Sequence, residues 1–253
     1  MADPQSLPPA IPQGIVLVSG WSFTAGMWRG LIDECMRQGL PESLITVVDW
    51  FDMGRWLFDK APCPVTESLQ AGQVIWMGWS LGGSLMLEAM ARNQLHPTQA
   101  IIVSAWPRFL AEDLGNAAWP GVPRKNWRAL RHQVQRDSDA ALVQFDRWLG
   151  LPDTRDCQRG SADLVRGLDW LAAIDQRVWL ETSTVPITWV CGTHDPLLPL
   201  PQCASAWPEK LQTNPANRWD VLAEGGHAIP WSHRNFLIEL LLAHKNKTRD
   251  AHV

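Results

Sequence analysis

Residues 73–83 read Gln73-Val-Ile-Trp-Met-Gly-Trp-Ser-Leu-Gly-Gly83, and this is the most informative stretch of the sequence. Its apolar start predicts a buried strand, and the residues from Leu81 to about Arg92 predict a helix, so Ser80 stands at the turn between them. The pattern Gly-x-Ser-x-Gly suits a strained turn, because the small neighbours let strand and helix approach closely while the hydroxyl points away from the sheet. The stretch therefore predicts a nucleophilic serine at one edge of a sheet.

Similar short apolar runs on both sides of this stretch predict further strands. They span Ile15–Val18, Leu44–Val48, Ala100–Val103, Pro186–Cys191 and Arg218–Leu222. The runs are continuous rather than alternating, which is typical of strands that are covered on both faces. Helices are predicted over Thr24–Arg37, with Thr24 as the N-cap, and over Phe236–Ala243. The predicted fold class is α/β, with a mostly parallel sheet between layers of helices.

This alternation stops between about Pro107 and Thr184, where the sequence holds helix-like segments and no clear strand. Because the span lies between two strands of one sheet, it predicts a helical cap over one end of that sheet. The predicted division is a core of residues 1–106 and 185–253 and a cap, or lid, of residues 107–184. A chain of 253 residues is long enough for one core with such an insertion.

A serine nucleophile requires a general base and an acid that orients the base. Asp195 follows the predicted strand Pro186–Cys191, and the carboxyl ends of parallel strands are where active-site residues gather. His227 follows the next strand in a loop of small residues that lets an imidazole reach back to Ser80. The order Ser80, Asp195, His227 is the order of hydrolase triads. These three residues are the predicted catalytic triad.

Other residues compete for the roles of base and acid. His194 precedes the predicted acid, His233 lies further along the chain, and the remaining histidines are expected at the surface: His96, His132, His244 and His252. Asp169 and Asp175, at the end of the predicted insertion, are the alternative acids, but neither follows a recognisable strand.

The oxyanion that forms when a serine attacks a carbonyl group needs hydrogen-bond donors. One predicted donor is the backbone N–H of Leu81, which directly follows the nucleophile at a helix N-terminus. The second is the backbone N–H of Trp21, in the loop after the first strand, where Gly20 allows a close approach. An ordinary strand-to-helix turn is the alternative interpretation of that loop.

Composition excludes several other functions. The formal net charge of −4 argues against a global nucleic-acid binder, and the absence of Tyr excludes mechanisms that use a tyrosyl hydroxyl. Motifs for zinc and for nucleotide phosphates are absent, so no metal and no cofactor are expected. Five scattered Cys predict no disulfide framework. Without a predicted signal peptide or membrane-spanning run, the expectation is a soluble, cytoplasmic, monomeric protein without a membrane partner.

These motifs resemble those of the α/β-hydrolases, and within them the methyl ester esterases that act on pimeloyl-acyl carrier protein in biotin synthesis. The resemblance spans most of the chain. It rests on the following segments: Ser19-Gly20-Trp21, Gly78–Gly83, Trp119-Pro120-Gly121, Gly192–Pro199 and Gly226-His227-Ala228. It implies an α/β-hydrolase fold and a serine carboxylesterase whose substrate is the methyl ester of an acyl chain bound to an acyl carrier protein. Phe145 matches a pocket-lining aromatic of this family. An apolar tunnel under the cap would suit the acyl chain, and Trp21, Leu81 and Phe145 are the candidate substrate-binding residues that line it.

An acidic carrier protein requires a basic docking surface. Residues 120–136 contain five basic side chains and no acidic one. At helical spacing, Arg124, Arg128 and Arg131 form one stripe and are the candidate carrier contacts. A helix face that simply meets solvent is an equally good interpretation of this stripe.

Rival functions remain on the same scaffold. A general short- or medium-chain carboxylesterase, a thioesterase and a cofactor-free perhydrolase all use this triad. A non-catalytic binding module of the same fold is disfavoured, because nucleophile, acid and base are all present in order.

Overall fold

The computed structural model describes residues 13–112, 119–152, 159–198 and 217–246. Its strands form one six-stranded sheet in the order β2-β1-β3-β4-β5-β6, with every neighbouring pair parallel. The strands are β1 (Gly14–Val18), β2 (Ile45–Val48), β3 (Ala71–Trp79), β4 (His96–Val103), β5 (Ile187–Gly192) and β6 (Arg218–Leu222). The predicted parallel sheet is confirmed, and the carboxyl ends of all six strands meet at one edge.

Helices cover this sheet and fill the predicted insertion. Those outside the insertion are α1 (Arg29–Arg37), α2 (Trp50–Asp59), α3 (Glu67–Gln70), α4 (Leu81–Ala91), α9 (Ile229–Ser232) and α10 (Arg234–Asn246). Those between β4 and β5 are α5 (Arg124–Arg136), α6 (Ser138–Leu149), α7 (Ser161–Ala173) and α8 (Arg177–Leu180). Short 3₁₀ turns over Ala25–Trp28 and Glu42–Leu44 precede α1 and β2. The α/β fold with a helical insertion is therefore confirmed.

One local expectation was wrong, and one helix was not predicted. The span from Thr24 to Arg37 is a 3₁₀ turn capped by Thr24 and then α1, rather than one α-helix, and Gly26 disfavours the α-helix in that turn. Helix α2 was missed by the sequence reasoning. Its signal is Asp49, whose carboxylate accepts from the Phe51 N–H, followed by buried apolar residues at helical spacing.

A cluster of charges joins the two ends of the insertion. Arg177 lies 2.6 Å from Glu112 and 2.8 Å from Asp175, and Arg108 pairs with both carboxylates. Burial by itself raises the pKa of Asp175, but the hydrogen bonds and charges of Arg177 and Arg108 outweigh it and lower that pKa below the ordinary value. The segment after β4 is thereby tied to the segment before α8.

Tryptophan side chains make up much of the buried core, and glycines make room for them. In α2, a Cβ on Gly54 would lie 2.1 Å from the Trp170 ring of α7. We expect Gly54→Ala to lower the free energy of unfolding by about 1–3 kcal/mol, because this overpacking outweighs the helix propensity that Ala adds. Urea unfolding measures the change.

The matched control is Gly160→Ala. Among the described residues, a Cβ at Gly160 would meet no atom within 4 Å, so the effect of this substitution should stay below about 1 kcal/mol. Equal stability of the Gly54→Ala variant and the wild type would contradict the packing of α2 on α7.

Among the described residues, the thiols of Cys35 and Cys63 are free, and burial raises the pKa of Cys35 to about 11. Among the helices that the structure describes, none is both long enough and apolar enough to cross a bilayer.

Candidate active site

Ser80 occupies the sharp turn between β3 and α4. Its φ of 53° and ψ of −124° lie outside the common regions for a residue with a side chain. Strand and helix meet closely there: a Cβ on Gly78 would lie 2.7 Å from the Gly83 nitrogen, and a Cβ on Gly82 would lie 2.4 Å from the Ser19 carbonyl oxygen. The close packing holds the serine in its strained conformation, with its hydroxyl at the carboxyl edge of the sheet.

A chain of hydrogen bonds connects the three predicted triad residues. The His227 Nε2 atom lies 3.0 Å from the Ser80 Oγ atom, and the His227 Nδ1 atom lies 2.8 Å from Asp195 Oδ2. The His227 and Asp195 side chains are 2 % and 1 % exposed. The second carboxylate oxygen, Asp195 Oδ1, accepts from the Leu197 N–H at 2.9 Å. With Asp195 accepting from Nδ1, the lone pair of Nε2 faces the Ser80 hydroxyl, which is the geometry for taking its proton.

The loops that carry the acid and the base are packed directly against each other. A Cβ on Gly192 would lie 2.0 Å from the Gly225 carbonyl oxygen, and that oxygen accepts from the His194 N–H at 2.8 Å. The Trp79 indole, one residue before the nucleophile, donates to the His227 carbonyl oxygen at 2.9 Å. These contacts fix the positions of both loops, and sequence reasoning identified neither Gly225 nor Trp79 as a partner of the triad.

The competing residues lie elsewhere. The exposed His194 ring is 3.1 Å from the Thr193 hydroxyl, and the half-buried His233 ring is 2.9 Å from the Ser232 hydroxyl. Asp169 forms an ion pair with Arg131, and Asp175 belongs to the charge cluster at the ends of the insertion. His96 and His132 are exposed, while the side chains of His244 and His252 lie outside the described residues.

The two predicted oxyanion donors, Leu81 and Trp21, lie in different segments: Leu81 follows Ser80 in the chain, and Trp21 follows the strand next to β3. Leu81 is the first residue of α4, so its N–H has no acceptor within the helix. Trp21 follows β1, which is hydrogen-bonded to β3 on the flank opposite β4. The Trp21 indole donates to the Leu164 carbonyl oxygen of α7 and packs edge-on against Phe145 of α6, with ring centroids 5.1 Å apart. Two of the three predicted substrate-binding residues, Trp21 and Phe145, are thus in contact with each other. The side chain of the third, Leu81, is fully buried.

Two cavities lie beside these residues. The larger, of about 250 Å³, is bounded mainly by α5 and α6 and is walled by apolar side chains, including Phe145, with the amides of Asn126, Gln133 and Gln144 among them. The smaller, of about 10 Å³, is lined by Ser80 and His227 and also by Ser104. Phe109 and Leu197 line both cavities, so the two cavities adjoin at these side chains. Sequence reasoning missed Ser104, Phe109 and Leu197, because no motif marks them.

The three arginines of the predicted basic stripe on α5 differ in their contacts. Arg131 makes two hydrogen bonds to the Asp169 carboxylate of α7, at 2.7 and 3.0 Å, and this ion pair raises the pKa of the guanidinium. Within the described part of the chain, the exposed Arg124 and Arg128 have no ion-pair partner. Arg124 and Arg128 are thus free to meet another molecule, while Arg131 joins two helices of the insertion.

Comparison with known proteins also finds hydrolases. Residues 15–240 match the model of the alpha/beta hydrolase family. A pimeloyl-[acyl-carrier protein] methyl ester esterase from Yersinia pseudotuberculosis is 28 % identical over 260 aligned residues, which cover 92 % of this chain and 94 % of that protein. The protein of the same name from Pectobacterium atrosepticum is 25 % identical and covers 90 % of this chain and 92 % of its own length.

Solved structures share the architecture at lower identity. An esterase from Exiguobacterium antarcticum superposes with a TM-score of 0.74 at 19 % identity, covering 92 % of this chain and 91 % of that one. A bromoperoxidase from Bacillus anthracis gives a TM-score of 0.72 at 16 % identity, with 92 % of each chain covered. These two likenesses concern the fold.

Proposed function

The chain belongs to the alpha/beta hydrolase family, and from that premise we propose that it is a serine carboxylesterase that hydrolyses the methyl ester of an acyl chain carried by an acyl carrier protein, in biotin synthesis. The observation that carries the proposal is the continuous hydrogen-bonded chain from the Ser80 hydroxyl through His227 to Asp195. The relatives named as pimeloyl-[acyl-carrier protein] methyl ester esterases support the choice of substrate.

The proposed reaction has two halves. His227 Nε2 takes the proton of Ser80 Oγ as this oxygen attacks the ester carbonyl, and the N–H groups of Trp21 and Leu81 stabilise the oxyanion. His227 then gives the proton to the alcohol oxygen, the bond between carbonyl carbon and alcohol oxygen breaks, and methanol leaves. Water attacks the acyl-enzyme with His227 again as base, while Asp195 holds the imidazole tautomer. The bond between the carbonyl carbon and Ser80 Oγ then breaks, His227 returns the proton to that oxygen, and the carboxylic acid leaves.

The size and lining of the cavity beside α5 and α6 favour a substrate with an acyl chain. Its volume of about 250 Å³ is below the roughly 300–1000 Å³ of pockets for drug-sized ligands, and its walls are mostly apolar. Among the predicted binding residues, Phe145 lines this cavity and Trp21 packs against Phe145. The proposal therefore places the acyl chain in this cavity and assigns residues 107–184 the role of its cap.

The start of α5 supports an acidic carrier as partner. Arg124 and Lys125 stand in the first turn of this helix, which contains no acidic residue. Positive charges at a helix N-terminus oppose the helix dipole, whereas an anionic partner there would be attracted by both. The proposal assigns carrier contact first to Arg124 and Arg128, with Arg131 orienting the helix through Asp169. The proposed location is the cytoplasm, a reducing compartment that suits the free thiols of Cys35 and Cys63.

The function is tested by intact-mass measurement of the carrier protein. The purified enzyme is incubated with an acyl carrier protein that bears a pimeloyl methyl ester, and the expected product is the same carrier with a free carboxyl group. Loss of the whole acyl chain would identify a thioesterase instead. An unchanged carrier alongside rapid hydrolysis of the free methyl ester would identify a general carboxylesterase.

Charge reversal on α5 tests the carrier surface. We expect Arg124→Glu/Arg128→Glu to raise KM for the carrier-bound methyl ester at least tenfold, because attraction becomes repulsion. Hydrolysis of the free methyl ester should stay within about twofold of the wild type, since neither side chain lines a cavity next to Ser80. Steady-state kinetics on both substrates measures the difference.

The matched control is Arg29→Glu/Arg37→Glu, which makes the same charge change at two exposed positions of α1. Its KM for the carrier-bound ester should match that of the wild type. Equal increases of KM in both double variants would show a general charge effect and would remove α5 as the docking surface.

A further inference from the structure

The Ser104 hydroxyl is a buried polar group that the triad does not use. Ser104 directly follows β4, is 2 % exposed and lines the same small cavity as Ser80 and His227. Among the described residues, its Oγ atom has no hydrogen-bond partner. Leaving a buried hydroxyl unpaired costs about 1–3 kcal/mol and is uncommon in folded proteins. The Ser104 hydroxyl is therefore available to form a hydrogen bond with a molecule that enters the cavity.

The backbone of Ser104 is strained as well. Its φ is 47°, in the left-handed region that favours glycine, while its N–H donates to the Val190 carbonyl oxygen at 2.9 Å. Strain of this kind costs on the order of 1–3 kcal/mol and gathers at functional sites. Ser80, with its φ of 53°, has the same feature one strand away. Two strained serines thus share one small cavity.

The sheet order places Ser104 on a defined side of the nucleophile. Strand β4 lies between β3 and β5, and the Ser80 N–H donates to the Val103 carbonyl oxygen at 2.9 Å. The loop after β1, which carries Trp21, lies on the opposite flank of β3. Asp195 and His227 follow β5 and β6, so Ser104 lies on the flank where His227 exchanges its proton. In an ester hydrolase this is the flank of the alcohol oxygen and, later, of the attacking water.

We propose that the Ser104 hydroxyl donates a hydrogen bond to the alcohol oxygen of the ester, in a chamber whose size favours a small alcohol. As the bond from the carbonyl carbon to that oxygen breaks, its electron pair stays on the oxygen and His227 supplies the proton, so the alcohol leaves neutral. The Ser104 hydrogen bond stabilises the negative charge that develops before the proton arrives. The inference rests on the esterase function proposed above and makes Ser104 a further catalytic residue.

The size of the chamber gives the alcohol specificity. Its volume of about 10 Å³ is close to the space for one water molecule, and Ala105, Trp106 and Leu198 complete its wall. At Phe109 and Leu197 it adjoins the larger cavity, which takes the acyl chain in the proposed function. A methyl group fits the small chamber with little rearrangement, whereas longer alcohols require these walls to move.

A comparison of leaving groups tests the role of Ser104. Ser104→Ala and Ser104→Gly are assayed on the methyl and p-nitrophenyl esters of heptanoic acid. Because p-nitrophenolate is a stable anion that needs little help to leave, we expect kcat/KM to fall about ten- to thirtyfold for the methyl ester and less than about threefold for the p-nitrophenyl ester. Both variants lack the hydroxyl and should agree, although glycine also relieves the positive φ and should unfold at the same or a higher temperature.

Each other outcome has a definite meaning. Equal losses on the two esters, or wild-type behaviour of Ser104→Gly, would give Ser104 a purely structural role and overturn the inference. A wild type that cleaves methyl heptanoate but not the carrier-bound ester would overturn the proposed substrate and leave the Ser104 inference standing. A wild type that cleaves only p-nitrophenyl esters would overturn both.

Discussion

Ser80→Ala is expected to lower kcat for ester hydrolysis by about 10⁵–10⁶-fold, the order found when the nucleophile of another serine hydrolase triad is removed. Alanine keeps the Cβ atom, so it adds no strain at a φ that serine already adopts. The thermal unfolding temperature should therefore stay within a few degrees of the wild type. The loss is measured as the rate at which a p-nitrophenyl ester releases p-nitrophenolate, whose absorbance at about 400 nm is followed for several hours because the variant is slow.

A covalent probe separates a missing nucleophile from a distorted site. A fluorophosphonate should label the wild type on Ser80 and leave the Ser80→Ala variant unlabelled. The control is Ser68→Ala, the same substitution at an exposed serine of α3, which should label and turn over like the wild type. Substantial turnover by a folded Ser80→Ala variant, or labelling at another serine, would remove Ser80 as the nucleophile.

The strands and the candidate triad were accessible from sequence for one physical reason. A strand buried on both faces reads as a continuous apolar run, and in a parallel sheet every such run ends at the same edge. Ser80, Asp195 and His227 each come within five residues of the end of a described strand. Order along the chain thus predicted proximity in space. The α/β-hydrolase fold and the prediction of a hydrolase are confirmed by the family, while the roles of the single site residues stay predictions.

The remaining features depend on contacts that no local pattern contains. The Arg131–Asp169 pair joins residues 38 positions apart, so a helical stripe of arginines did not reveal that one of them is already engaged. Ser104 is an ordinary serine after a strand until its φ, its unpaired hydroxyl and its shared cavity with Ser80 are known. Cavity shape likewise follows from how α5 and α6 lie against Phe109 and Leu197. Such features require coordinates rather than periodicity.

Asp195→Asn is expected to lower kcat about 10⁴-fold without unfolding the protein, because it reverses the tautomer of His227. The Leu197 N–H already donates to Oδ1 at 2.9 Å, so the amide of the variant keeps its oxygen at that position and turns its NH₂ group toward His227 Nδ1. The imidazole must then accept at Nδ1 and carry its proton on Nε2, where it no longer accepts the proton of Ser80. The loss is therefore chemical, and it should appear in kcat with little change in KM for the carrier-bound methyl ester.

The alternative acid provides the matched control for this substitution. Asp175→Asn makes the same change in the charge cluster at the ends of the insertion, and kcat should stay within about threefold of the wild type. Its effect should appear in unfolding instead, because Arg177 and Arg108 stabilise the charged form of Asp175 and hold its pKa below the ordinary value. A large fall of kcat in Asp175→Asn, together with an active Asp195→Asn variant, would move the acid from β5 to the insertion. The imidazole of His227 would then have to leave the carboxylate that it contacts at 2.8 Å, which makes the two substitutions a direct test of the geometry.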